Sequence, residues 1–379
     1  MTEQEMIEQL PEPLKTQAKG WMLIKPQDLP AKPEKNTWYT YRPENCLCSN
    51  GDPYYSTLKI GKENKLMVMF IGGGCAFDEY AAARPNQFTP TDKPTFYLPT
   101  TFIMGYFFGH GGIGNKDRAD NPFKDWSVVV ISYANGDFHC GTNDFEYDDE
   151  ELGKGVCRHR GYINYRAMMN KIKEFVPNPE QVLVTGYSAG GFGTALLTDD
   201  VMGIYEKCNN FVCLPDSSVL VNKRTHEVAE KQWGAPKEIC ERLKDNITLD
   251  CLLDLKRKHG DRVKIAFGCT YRDALLAQAQ NYLDGRPFIF DKEGGDIFQS
   301  NLAEFVKTLI KEIPDVSIYI FDRGNPEVTV GNLTDHTFIA TDTVFDYSYD
   351  GVKLIDWIYN SVCGKPQKVG LELLGVKAQ

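Results

Sequence analysis

The chain has 379 residues, with 42 Lys and Arg against 52 Asp and Glu and so a formal charge of −10. Its 42% hydrophobic and 25% charged residues are ordinary for a globular protein and exclude a disordered, collagen-like or coiled-coil chain. An acidic chain without a Lys/Arg-rich run argues against nucleic acid and anionic membranes as partners, since both select clustered positive charge, and the longest apolar run, 66–73, falls far short of the ~20 residues that cross a bilayer.

The N-terminus, Met-Thr-Glu-Gln-Glu-Met, has neither the basic start nor the apolar stretch of a secretory signal. A cytoplasmic location is the expectation, or a secreted one if a leader has been cleaved. Residues 1–45 are rich in Pro and charge and read as a short helix and an irregular lead-in. Apolar strand-like runs follow at 65–71, 125–133, 181–185, 210–215, 262–268 and 316–321, with helical spacing over 162–175 and a small-residue helix starting near 191. Short apolar strands separated by helices indicate an α/β fold, a mostly parallel sheet with helices on both faces. The chain reads as one domain over 1–379, with 222–260 as a helical segment that could be an inserted cap. The eleven Cys are odd in number and form no CxxC pair, so free thiols in a reducing compartment are expected, and no metal site. Asn246-Ile-Thr and Asn332-Leu-Thr match the glycosylation acceptor pattern.

The chemistry concentrates in Gln181-Val-Leu-Val-Thr-Gly186-Tyr-Ser188-Ala-Gly190-Gly191. A β-branched strand runs into Gly-x-Ser-x-Gly and then into a helix, which is the pattern of a nucleophile elbow. The turn is so tight that side chains at 186 and 190 would collide across it, and it presents the Ser188 hydroxyl at a helix N-terminus, where developing negative charge is favoured. A serine nucleophile needs a base. Of the six His, 226 and 259 lie among Lys and Glu, whereas His336 sits in the loop after the last strand-like run and is the preferred base. Asp273, just past the 262–268 strand, is the preferred acid; Asp216 and Asp335 are the alternatives. The Ala189 N–H and the Gly72-Gly73-Gly74-Cys75 loop, through Gly74 and Cys75, supply the expected oxyanion donors. Two other motifs read as surface loops: Gly109-His-Gly111-Gly-Ile-Gly114 matches a dinucleotide pattern without the helix that must follow it and reads as a flexible surface loop, and the acidic run 146–151 reads as a solvated loop.

Several ordered blocks together resemble the pectin acetylesterase family, which includes the Notum carboxylesterases and bacterial relatives. They are Met67-Val-Met-Phe-Ile-Gly-Gly-Gly-Cys-Ala-Phe-Asp, Asn121-Pro-Phe-Lys-Asp-Trp through Asp137-Phe-His139, His159-Arg-Gly, and Val184-Thr-Gly-Tyr-Ser-Ala-Gly-Gly. Many members carry Trp where this chain has Cys75, and Cys where it has Tyr187. The resemblance implies an α/β-hydrolase-like fold, a Ser188–His336–Asp273 triad and no cofactor or metal. It also places Gly73, Asp137, His139 and Tyr187 as substrate-contacting or cleft-lining candidates. Plant members remove acetyl groups from pectin and Notum removes a fatty acyl group from a signalling protein. The expected function is therefore deacetylation of a carbohydrate ester, small-molecule or oligosaccharide. The alternatives are a longer-chain lipid or protein deacylase, with aromatics at 96–108 lining an acyl pocket, and a non-catalytic carbohydrate-binding relative.

Overall fold

The computed structural model describes residues 7–8, 15, 19, 26–86, 93–101, 109–325 and 327–377. Among these, one large sheet is built from nine strands. They are β1 (Trp38–Tyr41), β2 (Ser56–Lys59), β3 (Lys65–Phe70), β4 (Ser127–Ile131), β5 (Gln181–Tyr187), β6 (Phe211–Asp216), β7 (Val263–Thr270), β8 (Ser317–Phe321) and β9 (Lys368–Val369). Their spatial order is β1-β2-β4-β3-β5-β6-β7-β8-β9. The β1/β2 and β2/β4 pairs are antiparallel and every other neighbouring pair is parallel. This is the mostly parallel sheet that the strand pattern predicts, in the α/β-hydrolase-like form that the resemblance implies.

The central strands are Val-, Ile-, Leu- and Met-rich because both of their faces are covered. Every residue of β4, β5, β6 and β8 is buried, and each buried Val, Leu or Ile contributes about 1.5–3 kcal/mol. The main helices are α1 (Gly161–Phe175), α2 (Ala189–Ile204), α3 (Ile247–His259), α4 (Ala274–Leu283), α5 (Lys292–Glu312) and α6 (Leu354–Val362). In α1 the buried Tyr165, Met168, Met169 and Ile172 recur at the helical period. Helix α2 packs against β3, β5 and β6, and its Gly- and Ala-rich start lets it lie close to them. Helix α3, the largest element of the 222–260 segment, packs in turn against α2, with Asn246 at its N-terminus accepting the Leu249 N–H at 3.0 Å.

Three segments differ from their expectation. The lead-in carries β1, an edge strand of four residues, too short to stand out. The acidic run is half of an antiparallel hairpin, Asp144–Asp149 against Gly153–Arg158, and its Asp149 ion-pairs with the buried Arg84 at 2.6 Å. The 109–114 glycines form a brace: the Ile113 N–H donates to the Ile339 carbonyl at 3.0 Å, behind the His336 loop. The expected N-terminal helix falls mostly outside the described residues, as do Phe102, Tyr106, Phe107 and Phe108 of the proposed acyl wall.

Candidate active site

Every segment singled out for chemistry leaves the sheet at the carboxyl ends of its parallel strands, the end at which open α/β sheets bind ligands. Gly72–Gly74 follow β3, Ser188 follows β5, Asp216 ends β6, Asp273 follows β7 and the His336 loop follows β8.

Between β5 and α2 the chain turns on one residue. Ser188 has φ 55° and ψ −127°, a conformation L-residues rarely adopt, which costs roughly 1–3 kcal/mol and persists only where packing enforces it. The enforcement is visible: a Cβ at Gly190 would collide with the Phe70 carbonyl of the neighbouring strand. The Ser188 N–H donates to the Asp216 carbonyl at 2.9 Å. The next amide, Ala189, opens α2 and has no protein partner among the described residues.

Asp273 ends the β7 excursion and has two roles. Its Oδ1 accepts the Leu276 N–H at 3.0 Å and caps α4, while its Oδ2 lies 2.7 Å from His336 Nδ1. A carboxylate only accepts, so Nδ1 carries the proton and Nε2 is left as the acceptor. Asp273 is fully buried. Burial alone would lower the His336 pKa, but the Asp273 carboxylate, by charge and hydrogen bond, holds it above the usual histidine value. Asp216 and Asp335 are engaged elsewhere: Asp216, at the end of β6, accepts the Phe338 and Ile339 N–H groups of the histidine loop, and Asp335, on that loop, pairs with Arg323.

The glycine loop after β3 separates its amides. The Cys75 N–H donates to the Phe96 carbonyl at 2.8 Å, so it is not available as the oxyanion donor expected of it. The Gly73 and Gly74 N–H groups have no partner among the described residues. Gly74 has φ +78°, where a side chain would also strike the Phe96 carbonyl. The Cys75 thiol is buried against the Gly136 carbonyl, and burial, with Asp137 nearby, pushes its pKa well up. It is a packed side chain, not a reactive thiolate.

Four further expectations concern the cleft lining. Asp137 and His139 lie behind the wall, fully buried. Asp137 accepts the Gly161, His139 and Gly141 N–H groups at 2.8, 3.0 and 3.2 Å, and burial pushes it up to about 6. His139 donates from Nε2 to the Ile71 carbonyl at 2.9 Å, and burial pulls it down to about 4. They tie the loop after β4 to the starts of α1 and the glycine loop, and neither reaches the cavity. Tyr187 is also buried, under the glycine loop. Gly73 does line the cavity.

That cavity is about 630 Å³. Ser188, Ala189, His336, Gly73 and Gly74 stand on its wall, and much of the remaining lining is apolar: Phe77, Phe96, Phe138, Phe192, Leu220 and Phe288. Phe96 belongs to the aromatic segment expected to line an acyl pocket, whereas Phe288 comes from a segment that sequence reasoning did not connect to the elbow. Leu275, Leu276 and Tyr282 add one face of α4, which Asp273 caps. No local motif marks these residues. Among the described residues no group of three or more His, Cys, Asp or Glu converges as a metal would require.

A carboxyl-end cavity holding a strained elbow serine and an Asp-bound histidine is the layout of an α/β-hydrolase-like protein. Residues 40–250 match the pectinacetylesterase family model, and the chain belongs to that family. It is 25% identical over 168 residues to pectin acetylesterase 4 of Arabidopsis thaliana; the match covers 43% of this chain and 37% of that relative, little more than a third of its length. In fold it is similar to the Wnt deacylase Notum from Drosophila, with a TM-score of 0.55 and 17% identity over 87% of this chain and 95% of that one.

Proposed function

We propose that this protein is a serine carboxylesterase whose triad is Ser188, His336 and Asp273. Ser188 Oγ attacks the ester carbonyl as His336 Nε2 takes its proton. Asp273 Oδ2 keeps Nδ1 protonated and steadies the imidazolium. The N–H groups of Ala189 and Gly74, with Gly73 beside them, receive the oxyanion. The imidazolium then protonates the leaving alcohol, the acyl group stays on Ser188, and water activated by His336 releases it as the acid. The observation that carries this reading is the 2.7 Å His336–Asp273 contact, with His336 and the elbow serine on the wall of one cavity. Membership of the pectinacetylesterase family supports an acetylated carbohydrate as substrate.

The cavity favours a second reading. Its Phe and Leu lining extends well beyond what an acetyl group would contact, and suits a longer acyl chain. One experiment tests both: hydrolysis of p-nitrophenyl esters from acetate to octanoate by wild type and Ser188→Ala, with acetate release from acetylated pectin and xylan alongside. Loss of all activity in the variant is expected. Retention there overturns the triad, and a wild type that hydrolyses none of these and takes up no fluorophosphonate points to a binding protein.

A further inference from the structure

Asp216 stands where the two halves of the site meet. Its backbone carbonyl accepts the Ser188 N–H at 2.9 Å. Its side-chain Oδ2 accepts the Phe338 and Ile339 N–H groups at 2.8 and 3.1 Å, two and three residues beyond His336, and its Oδ1 accepts the Ser217 hydroxyl at 2.8 Å. One residue therefore fixes the elbow through its main chain and the histidine loop through its side chain.

An amide oxygen would serve backbone N–H donors nearly as well as a carboxylate. The charge needs a further reason, because Asp216 is fully buried, no Lys or Arg pairs with it among the described residues, and burying an unpaired charge is costly. The one group nearby that becomes cationic during an ester hydrolysis is His336. We propose that Asp216 is a positioning residue of the reaction: it locks the His336 loop in register with Ser188, and its negative charge adds to that of Asp273 in steadying the imidazolium. This rests on the esterase reading above.

The charges of the two groups are coupled: Asp216, after Asp273, is among those that raise the His336 pKa. Burial pushes Asp216 up to about 7, against hydrogen bonds from Phe338, Ile339 and Ser217 that pull it down, and His336 also pulls it down. The other titratable groups facing the pair are Tyr187 from β5, Cys269 from β7, Asp273 at the head of α4, and Asp335 on the loop itself. Burial raises Tyr187 and Cys269 well above their ordinary values, so both stay neutral.

The test is the pH profile of kcat/KM for p-nitrophenyl acetate in wild type, Asp216→Asn and Ser217→Ala, with a melting curve for each. A carboxylate beside His336 favours its protonated form. Removing the charge should lower kcat by roughly 10- to 100-fold, the worth of a charge-assisted contact, and move the acid limb to lower pH. A purely structural role would lower activity or melting temperature and leave the acid limb in place, and that result overturns the proposal. If Asp216→Asn fails to fold, Ser217→Ala decides. Without the hydroxyl Asp216 ionises less readily, so the acid limb should move the same way by less, and an unmoved limb again overturns it. A wild type inert to esters and to fluorophosphonate removes the esterase reading and this role with it. An active wild type whose acid limb Asp216→Asn shares removes this role alone.

Discussion

The Cys75 N–H donates to the Phe96 carbonyl at 2.8 Å, and this bond narrows the oxyanion set to the amides around it. Cys75→Ser leaves the amide in place and replaces a buried thiol packed against the Gly136 carbonyl, so it should keep most of its kcat, well short of the about 10²–10³ loss that follows a missing oxyanion donor. Gly74→Ala forces a side chain into a positive-φ position against the Phe96 carbonyl and should show the full loss. Steady-state kinetics on p-nitrophenyl acetate separates the two.

Asp273→Asn keeps an amide oxygen to cap α4 but cannot hold the imidazole in the right tautomer. Its kcat should fall by about 10⁴ with little change in melting temperature. A variant that lost both equally would make the cap, and not the tautomer, its main contribution.

Acid stability should report the buried histidines. His139 is about 4 in the folded protein, against an ordinary value of 6.5, because burial opposes its charge. A histidine depressed by folding contributes stability that is present above pH 6.5 and lost as pH falls toward 4. That loss is about 3 kcal/mol for such a shift. His139→Asn should be less stable at pH 8 and show a shallower fall in melting temperature between pH 6.5 and 4. Parallel slopes would mean that His139 takes up its proton at the same pH in the folded and unfolded chains.

The Phe77, Phe138 and Leu220 side chains separate the main cavity from a smaller one behind it. Phe77→Ala should join the two. Each further methylene that becomes buried is worth about 0.8 kcal/mol, so the octanoate-to-acetate ratio of kcat/KM should rise. An unchanged ratio would place the acyl chain elsewhere on the wall.

All eleven cysteines are unpaired and only Cys363 is exposed. Thiol titration should count one fast-reacting group in the native protein and eleven after denaturation without reductant. A lower denatured count would reveal disulfides.

The core of the sheet was legible because β3 to β8 are apolar runs bounded by turn residues, and a strand buried on both faces can be little else. The elbow was legible for the same local reason: Gly186, Ser188 and Gly190 are demanded by one turn. The edge strands were not, since β1 and β2 are only four residues each and gain their meaning from pairing across the segment between them, Trp38 against Lys59 and Tyr41 against Ser56 at their ends. Nor was the fate of the Cys75 amide, because the Phe96 carbonyl is distant in sequence and no residue pattern announces a single backbone bond. Asp137 and His139 were read as site residues because the family resemblance placed their block at the cleft. Their hydrogen bonds run into the backbone behind the wall instead.

Cys363 follows α6 and adjoins Lys264 near the start of β7, at the amino ends of the parallel strands. The cavity opens at the carboxyl ends. Maleimide coupling to a surface through this one thiol would thus set every molecule down on the same side, with its cleft turned toward solution and free to meet even a polymer too large to diffuse between randomly oriented neighbours.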